Sequence, residues 1–485
     1  MSKFLGVQGS SCDDVGAGGG PVIHYKIHTV TPGPAVNTDL SIGAVLAGLS
    51  TGNETEKDEP VEESFLLRCY KAKELRQISQ VRDRCETETR SDAPYPRVTK
   101  ATVQGDLSNI TGPPHLLAPS SVVEVGHCWA QRPSVFAAPS LESDPEKRML
   151  LVLKWFLVAL RSQLYIGSSG SKNSSIKKPL NAFLGELFLA SWTDAEKKCT
   201  TTLVSEQVSH HPPITAMHVS DAEHGIRSTG YARVEMSFNG TVNIRQVGHA
   251  VLHIDRFEED YLMPLLDAQV RGILRGSMYP EVLGTYSIIG SSGYQAEIRF
   301  TGEGMIRGKR NSFEARIFHR DDPSNQTLYE VKGCWSEGGW KVRNPRMGET
   351  VEVYDIDAPE NQPVPMVIDP LAEQDPWESR KAWEGVFKGM RDGDMRMVLN
   401  EKTRVEQAQR RMRAEEKERG IMWEPLFFKS VQPEEHEVFH RLAEGIPGLK
   451  LHSERTKGVW KPDLVKIESL QRPFRQGVTP LGYTS

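Results

Sequence analysis

Between Thr200 and about Val342 apolar and polar residues alternate with a period of two, the mark of strands that bury one face. The stretches GIRSTGYARVEMSF (residues 225–238) and TVNIRQVGHAVLHI (residues 241–254) flank Asn239-Gly240. That dipeptide predicts a hairpin, because both positions of the tight turn need positive φ. YQAEIRF, NSFEARIF and TLYEVKGCW continue the series, separated by Gly-rich or Asp/Pro/Ser/Asn-rich turns. So many consecutive strands without a crossover helix predict a long antiparallel meander. A meander of this length escapes open edges by curling into a barrel, and a barrel that large can hold a ligand inside.

The flanks follow a helical period. EKRMLLVLKWFLVALRSQ (Glu146 to Gln163) contains the longest apolar run, Met149 to Leu160, which is too short to span a bilayer and carries Lys154 in its middle. It reads as a buried core helix. A Gly/Ser/Lys loop (Ile166 to Lys178) then leads into PLNAFLGELFLASW (Pro179 to Trp192). After Pro370 the pattern is helical again: Asn400 to Gly420 reads as a highly charged helix ended by its glycine, and His436 to Gly445 as a short apolar one. Residues 1–97 are poor in periodic pattern and are expected to be mostly disordered, with one short helix at Glu63 to Leu75. The expected organisation is a disordered extension over 1–97, one ordered domain over 98–463 and a basic tail over 464–485. The fold class is α+β dominated by β, a large antiparallel near-closed barrel with flanking helices.

Composition narrows the function. With 485 residues, 38% hydrophobic and 25% charged, the chain is long enough for a sizeable core. A net charge of −5 against 59 basic and 64 acidic groups leaves attraction to anions to a local patch, which argues against broad nucleic-acid binding. Six cysteines without C-x-x-C spacing form neither a zinc motif nor a secreted disulfide framework. The first twenty residues lack a continuous apolar segment of the secretory kind. A reducing, cytoplasmic setting is expected, with membranes met only from outside.

Candidate chemistry centres on EQVSHHPP (Glu206 to Pro213). Neighbouring side chains on a strand point to opposite faces, so His210 and His211 converge only where the strand ends or twists, and Pro212-Pro213 supplies that break. Such a pair can donate to phosphate or carboxylate oxygens or ligate a metal. Equally, one ring can satisfy a backbone carbonyl while the other faces water. No H-E-x-x-H and no second cluster of His, Cys or carboxylates at ligand spacing is present, so no metal and no cofactor is expected. Lys177 to Asn181 places cations and an amide at what reads as a loop-to-helix junction. Lys402, Glu406 and Arg410, spaced by four, read as one helix stripe, a pattern that also suits a solvated salt-bridge face.

Together these segments resemble the oxysterol-binding-protein-related lipid transfer family, in its short single-domain fungal form. EQVSHHPP is identical to the family fingerprint. KKPLNAFLGELF resembles its K-P-L-N-P-F-x-G-E segment, GKRNSFEARIF its G-K-x-N-x-F stretch, and DPWESRKAW its P-x-x-S-R-x-W box. The resemblance covers roughly Val98 to Asp463. It implies a near-closed barrel with an N-terminal lid around an apolar tunnel, and exchange of phosphatidylinositol 4-phosphate for a second membrane lipid, a sterol or another. By position in the matching motifs, His210 and His211 would contact the 4-phosphate. Lys178, Asn181, Lys402 and Arg410 would contact headgroup phosphates, with Glu406 orienting them or the inositol. Gln163 and Gln246 fit polar tunnel positions, while Leu164 and Ala232 occupy neighbouring places where Tyr and Asn are expected.

Ala182 stands where the family usually has proline, and the stretch before Gly105 is short of the apolar residues expected of a lid. The expected protein is a monomer in transient contact with membrane surfaces. A phosphoinositide sensor without transfer remains open, as does an enzyme using His210 or His211 as base with Glu206 as carboxylate partner.

Overall fold

The computed structural model describes residues 117–165, 176–238, 241–272, 278–302, 309–446 and 449–483. The expected disorder of residues 1–97, the helix at Glu63 to Leu75, the lid stretch and the Asn239-Gly240 turn lie outside these residues.

A short parallel pair comes first, β1 (Leu117–Ser121) with β2 (Lys178–Leu180). The main sheet runs through β3 (Leu187–Asp194), β4 (Cys199–His210), β5 (Pro213–Asp221), β6 (Ile226–Phe238), β7 (Val242–Ile254) and β8 (Glu259–Met263), each antiparallel to the one before. The hairpin of β9 (Ala268–Arg271) and β10 (Tyr279–Val282) branches off β7. The meander resumes with β11 (Gly284–Gly290) on β8, then β12 (Tyr294–Thr301), β13 (Ser312–His319), β14 (Tyr329–Cys334), β15 (Gly339–Asn344) and β16 (Glu349–Tyr354). β17 (Met366–Val367) closes the other edge against β3. The path of this 15-stranded sheet, with β9 and β10 off it, therefore ends at β16 and β17, which are not paired with each other, so the sheet curls without closing.

The apolar helix explains the curl. Pro145–Leu164 starts at Asp144, whose side chain accepts the Glu146 N–H, with proline in the first turn. It buries residues on every side, including Met149, Leu153, Trp155, Phe156 and Leu160. One core cluster joins this helix to Trp192 of β3, Leu252 of β7, Ile298 of β12, Phe313 of β13 and Tyr354 of β16. A sheet can reach a single helix from so many strands only by wrapping around it. The helix's few charges are paired at its rim: Arg148 bonds both oxygens of Glu259, and Lys154 pairs with Glu352 at 2.5 Å. No described helix is long and apolar enough to cross a membrane.

The charged helix spans Met395–Glu418 and ends, as its sequence predicts, at a glycine in the left-handed region, Gly420 at φ +65°. Two elements differ from expectation. The Lys177 to Asn181 stretch is not the start of a helix but strand β2, because its Leu180 is fully buried and its backbone has β1 as a partner. The segment after Asp463 packs on the domain: Trp377 Nε1 donates to the Val478 carbonyl, Gln409 Nε2 to that of Pro480, and Arg472 pairs with Asp369 and Glu378.

Candidate functional site

An apolar cavity of about 290 Å³ lies between the helix Pro145–Leu164, β2 and the strands β5 to β10. That places it at the lower end of small-molecule sites. Gln163, Leu164, Ala232 and Gln246 all line it. Gln246 is held in place: its Nε2 donates to the Leu266 carbonyl at 2.7 Å, which leaves Oε1 to accept from a buried hydroxyl. Ala232 faces Gly248 across the β6–β7 ladder, where a Cβ would lie 2.1 Å from the Tyr231 carbonyl oxygen. The glycine therefore lets the two strands meet at the cavity wall.

Polar groups gather where β2 reaches that cavity. Lys178 is one of its lining residues and also faces Lys402, buried on the charged helix. Burial first, then the Lys402 charge, brings the Lys178 ammonium down to about 8, with Glu406 acting in the opposite sense. Lys402 is ion-paired to Glu406. Glu406 in turn lies close enough to His210 to favour its charged form. The end of β4, strand β2 and one face of the charged helix thus converge.

The histidines meet as the break in the strand predicts. β4 ends at His210 and β5 begins at Pro213, and the two rings stand edge to face with centroids 4.5 Å apart. His210 is half-buried and His211 exposed. His210 Nδ1 lies 3.0 Å from the Ala182 carbonyl, which only accepts, so Nδ1 carries the proton and Nε2 is left for a ligand. The departure from the family's proline at 182 costs nothing here, since the contact is made by a backbone carbonyl that either residue supplies. Burial, and then His211, lower the His210 basicity.

The loop that carries Ala182 is built from beneath. Glu186 is fully buried and accepts the Phe183 N–H at 3.1 Å and the Trp383 Nε1–H at 3.0 Å, while Phe183 leans on Trp377 and Trp383. Gly185, at φ +81°, sits where a Cβ would press on Trp377 and Trp423 at 3.1–3.2 Å. Trp377 and Trp383 belong to the DPWESRKAW box, which packs beneath this loop. Asn181 is half-buried at the start of the same loop.

Two sequence expectations need correcting. Glu206 is no partner for the histidines: both of its oxygens accept backbone N–H groups, from Leu426 at 2.6 Å and Phe427 at 2.8 Å, and it is fully buried. A bulge between Gln207 and Ser209 inserts one residue and reverses the alternation, so Glu206 and His210 project from opposite faces of β4. This removes the carboxylate on which the enzyme alternative depended. Arg410 does not continue the stripe. At ~100° per residue it lies about 80° round the axis from Lys402, whereas Arg413 lies within about 20°. Arg410 is accordingly exposed, while Arg413 acts electrostatically on His210. The buried Nε and Nη1 atoms of Arg413 have no hydrogen-bond partner among the described residues. Reading by intervals of four misses Arg413; the four-three-four spacing from Lys402 through Glu406 and Gln409 finds it.

Comparison with known proteins places this architecture. The family model described as "Oxysterol-binding protein" matches residues 96–386. The chain is 45% identical over 383 residues to the "Probable transporter efuK" of Hormonema carpetanum, covering 78% of this chain and 54% of that protein, so it spans about half that relative's length. It is 36% identical over 327 residues to "Protein KES1" of Mycosarcoma maydis, covering 66% of this chain and 83% of that one. Among solved structures, the Osh1 ORD domain in complex with cholesterol superposes with a TM-score of 0.55 at 21% identity, over 71% of this chain and 85% of that one. The Osh3 ORD in complex with PI(4)P from Saccharomyces cerevisiae gives 0.54 at 20% identity, over 71% and 90%. The family match over 96–386, and the curled antiparallel sheet shared with these domains, make this chain a member of the oxysterol-binding protein family.

Proposed function

We propose that this protein is a non-enzymatic lipid carrier that takes up phosphatidylinositol 4-phosphate and exchanges it for a second lipid, a sterol, between membranes. One observation carries the reading: Lys178 lines the apolar cavity and is also part of the polar cluster with Lys402, Glu406 and His210. A ligand suited to both is amphiphilic, with apolar chains or rings in the cavity and an anionic head at its mouth. Each methylene moved out of water into the cavity contributes about 0.8 kcal/mol. The head, with a phosphomonoester and a phosphodiester, needs several convergent cations to replace its water. Lys178, Lys402, His210 and His211 supply them, with Asn181 adding an amide and Glu406 positioning Lys402.

Support also comes from relatives whose domains hold cholesterol in one structure and PI(4)P in another. Two lipids that compete for one cavity exchange without any bond being made or broken. One cavity per chain suffices, so the carrier acts as a monomer that meets membranes transiently.

The test is transfer between two vesicle populations, one loaded with the phosphoinositide and one with sterol. Coupled movement in opposite directions is the expected result. Uptake of the phosphoinositide without movement between vesicles would instead make the protein a sensor.

A pH dependence follows from the histidine geometry. With Nδ1–H committed to Ala182, a bridge from His210 Nε2 to a phosphate oxygen needs one proton, which neither partner holds at alkaline pH. Binding therefore takes up a proton, and affinity for the phosphoinositide should fall by up to about tenfold per unit as pH rises above 7. Titrations at pH 6.5, 7.5 and 8.5 check this, with His210→Ala expected to flatten the profile.

A further inference from the structure

We propose that Cys199, His224 and Asp221 form a binding site for a thiophilic divalent cation of the zinc type, at the end of the sheet remote from the histidine pair. Cys199 opens β4 and His210 closes it, a separation of roughly 36 Å along an extended strand of 12 residues. Spacing along the chain hides this cluster, because Cys199 and His224 belong to different hairpins. Pairing of β4 with β5, and of β5 with β6, brings the turns of those hairpins together.

Ligand-capable atoms of the three residues all lie within 4.8 Å of one another. His224 Nδ1 is 2.9 Å from the Asp221 carboxylate, which also accepts the His224 backbone N–H at 3.1 Å. A carboxylate acceptor fixes the proton on Nδ1 and leaves the Nε2 lone pair directed at Cys199 Sγ, 4.0 Å away. This is the carboxylate–histidine–metal arrangement, in which the acid orients the imidazole and strengthens it as a ligand. Zinc bonds of about 2.3 Å to sulfur and 2.0–2.1 Å to nitrogen, set tetrahedrally, hold the two ligand atoms about 3.6 Å apart. A small side-chain rotation closes that difference.

Asp194 stands directly opposite Cys199 in the β3–β4 ladder and adds negative charge beside the site, partly offset by Lys197 at 3.9 Å from it. Asp221 is buried, whereas the His224 side chain keeps 14% of its surface exposed, which gives an ion a way in. Cys199 Sγ–H lies 3.2 Å from the Lys197 carbonyl, a weak contact that metal binding would replace. Binding exchanges the thiol proton for the ion, and the proton passes to buffer. The bound ion would pin the two hairpin turns to each other.

The test uses the full chain, stripped with chelator and titrated with Zn²⁺ against a chromophoric competitor, then with Co²⁺ to read thiolate-to-cobalt charge transfer. One ion per chain is expected, together with the sulfur band. Cys199→Ser should weaken binding by about 100-fold or more and abolish the band, and Asp221→Asn should weaken it by about 10- to 100-fold. Lipid uptake should stay unchanged in Cys199→Ser, since Cys199 does not line the cavity, and this confirms that the variant is folded. If Cys199→Ser fails to fold, His224→Gln carries the same expectation from the other ligand. Unchanged zinc affinity in a folded Cys199→Ser or His224→Gln variant, or cobalt binding without a sulfur band, would overturn the site.

Discussion

Replacing His210 and His211 together by alanine will abolish phosphoinositide uptake while leaving thermal unfolding and sterol uptake close to wild type. The asymmetry comes from position. Both rings stand at the turn between β4 and β5, and neither lines the apolar cavity. Losing charge-assisted contacts to a phosphate at a partly buried site costs about 2–5 kcal/mol, or at least about 30-fold in affinity. The fold loses only the His210–Ala182 hydrogen bond, worth about 1 kcal/mol. Within the pair, the half-buried and anchored His210 should contribute more than the exposed His211. Equal loss of both cargoes in a variant that unfolds at the normal temperature would refute the separation between a polar mouth and an apolar interior.

Lys178→Met is expected to raise stability and remove phosphoinositide binding at the same time. Lys178 is charged in a site that burial and Lys402 make unfavourable, as its lowered value of about 8 records. The unfolded chain binds this proton more tightly than the folded one between about pH 8 and the ordinary lysine value. The penalty on the folded state is therefore fully present below pH 8 and is relieved as pH rises toward 10.5. Replacing a buried charge by an apolar side chain of similar length should stabilise the ligand-free protein at pH 7 by about 1 kcal/mol or more. The advantage over wild type should shrink at pH 9.5. Urea unfolding at the two pH values measures it, and a methionine variant less stable than wild type at pH 7 would show that Lys178 is a structural residue. A site that holds like charges together before its ligand arrives is strained in favour of an anion. The same cost that weakens the empty protein adds to its preference for the phosphoinositide.

The Lys402 and Arg410 comparison shows where reading by interval fails. Steps of four drift by about 40° each round a helix, so the third member of a ladder no longer shares the first member's face. Arg413, placed by steps of four, three and four, returns to it. Glu206 makes the complementary point for strands. It shares parity with His210 in the chain, and only the bulge at Gln207–Ser209 separates their faces. A bulge of this kind leaves no composition signal, because it is set by how β5 registers against β4.

What could be read from the chain alone was whatever repeats locally. Period-two alternation specified strands between Thr200 and about Val342, the unbroken apolar run specified the central helix, and Gly420 its charged helix's end. The fingerprint around His210 and the motif around Lys178 marked residues that Glu406 and Lys402 of the charged helix bring into one polar cluster. Tertiary structure decided the rest, because it depends on partners far apart in sequence. β2 became a strand because β1 pairs with it across some sixty residues. The final segment became part of the domain because Val478 and Pro480 offer carbonyls to Trp377 and Gln409. Cys199 and His224 became neighbours because two hairpins lie side by side in one sheet. Local pattern fixes which face of each element is apolar; which faces meet is settled only when all of them must be buried at once.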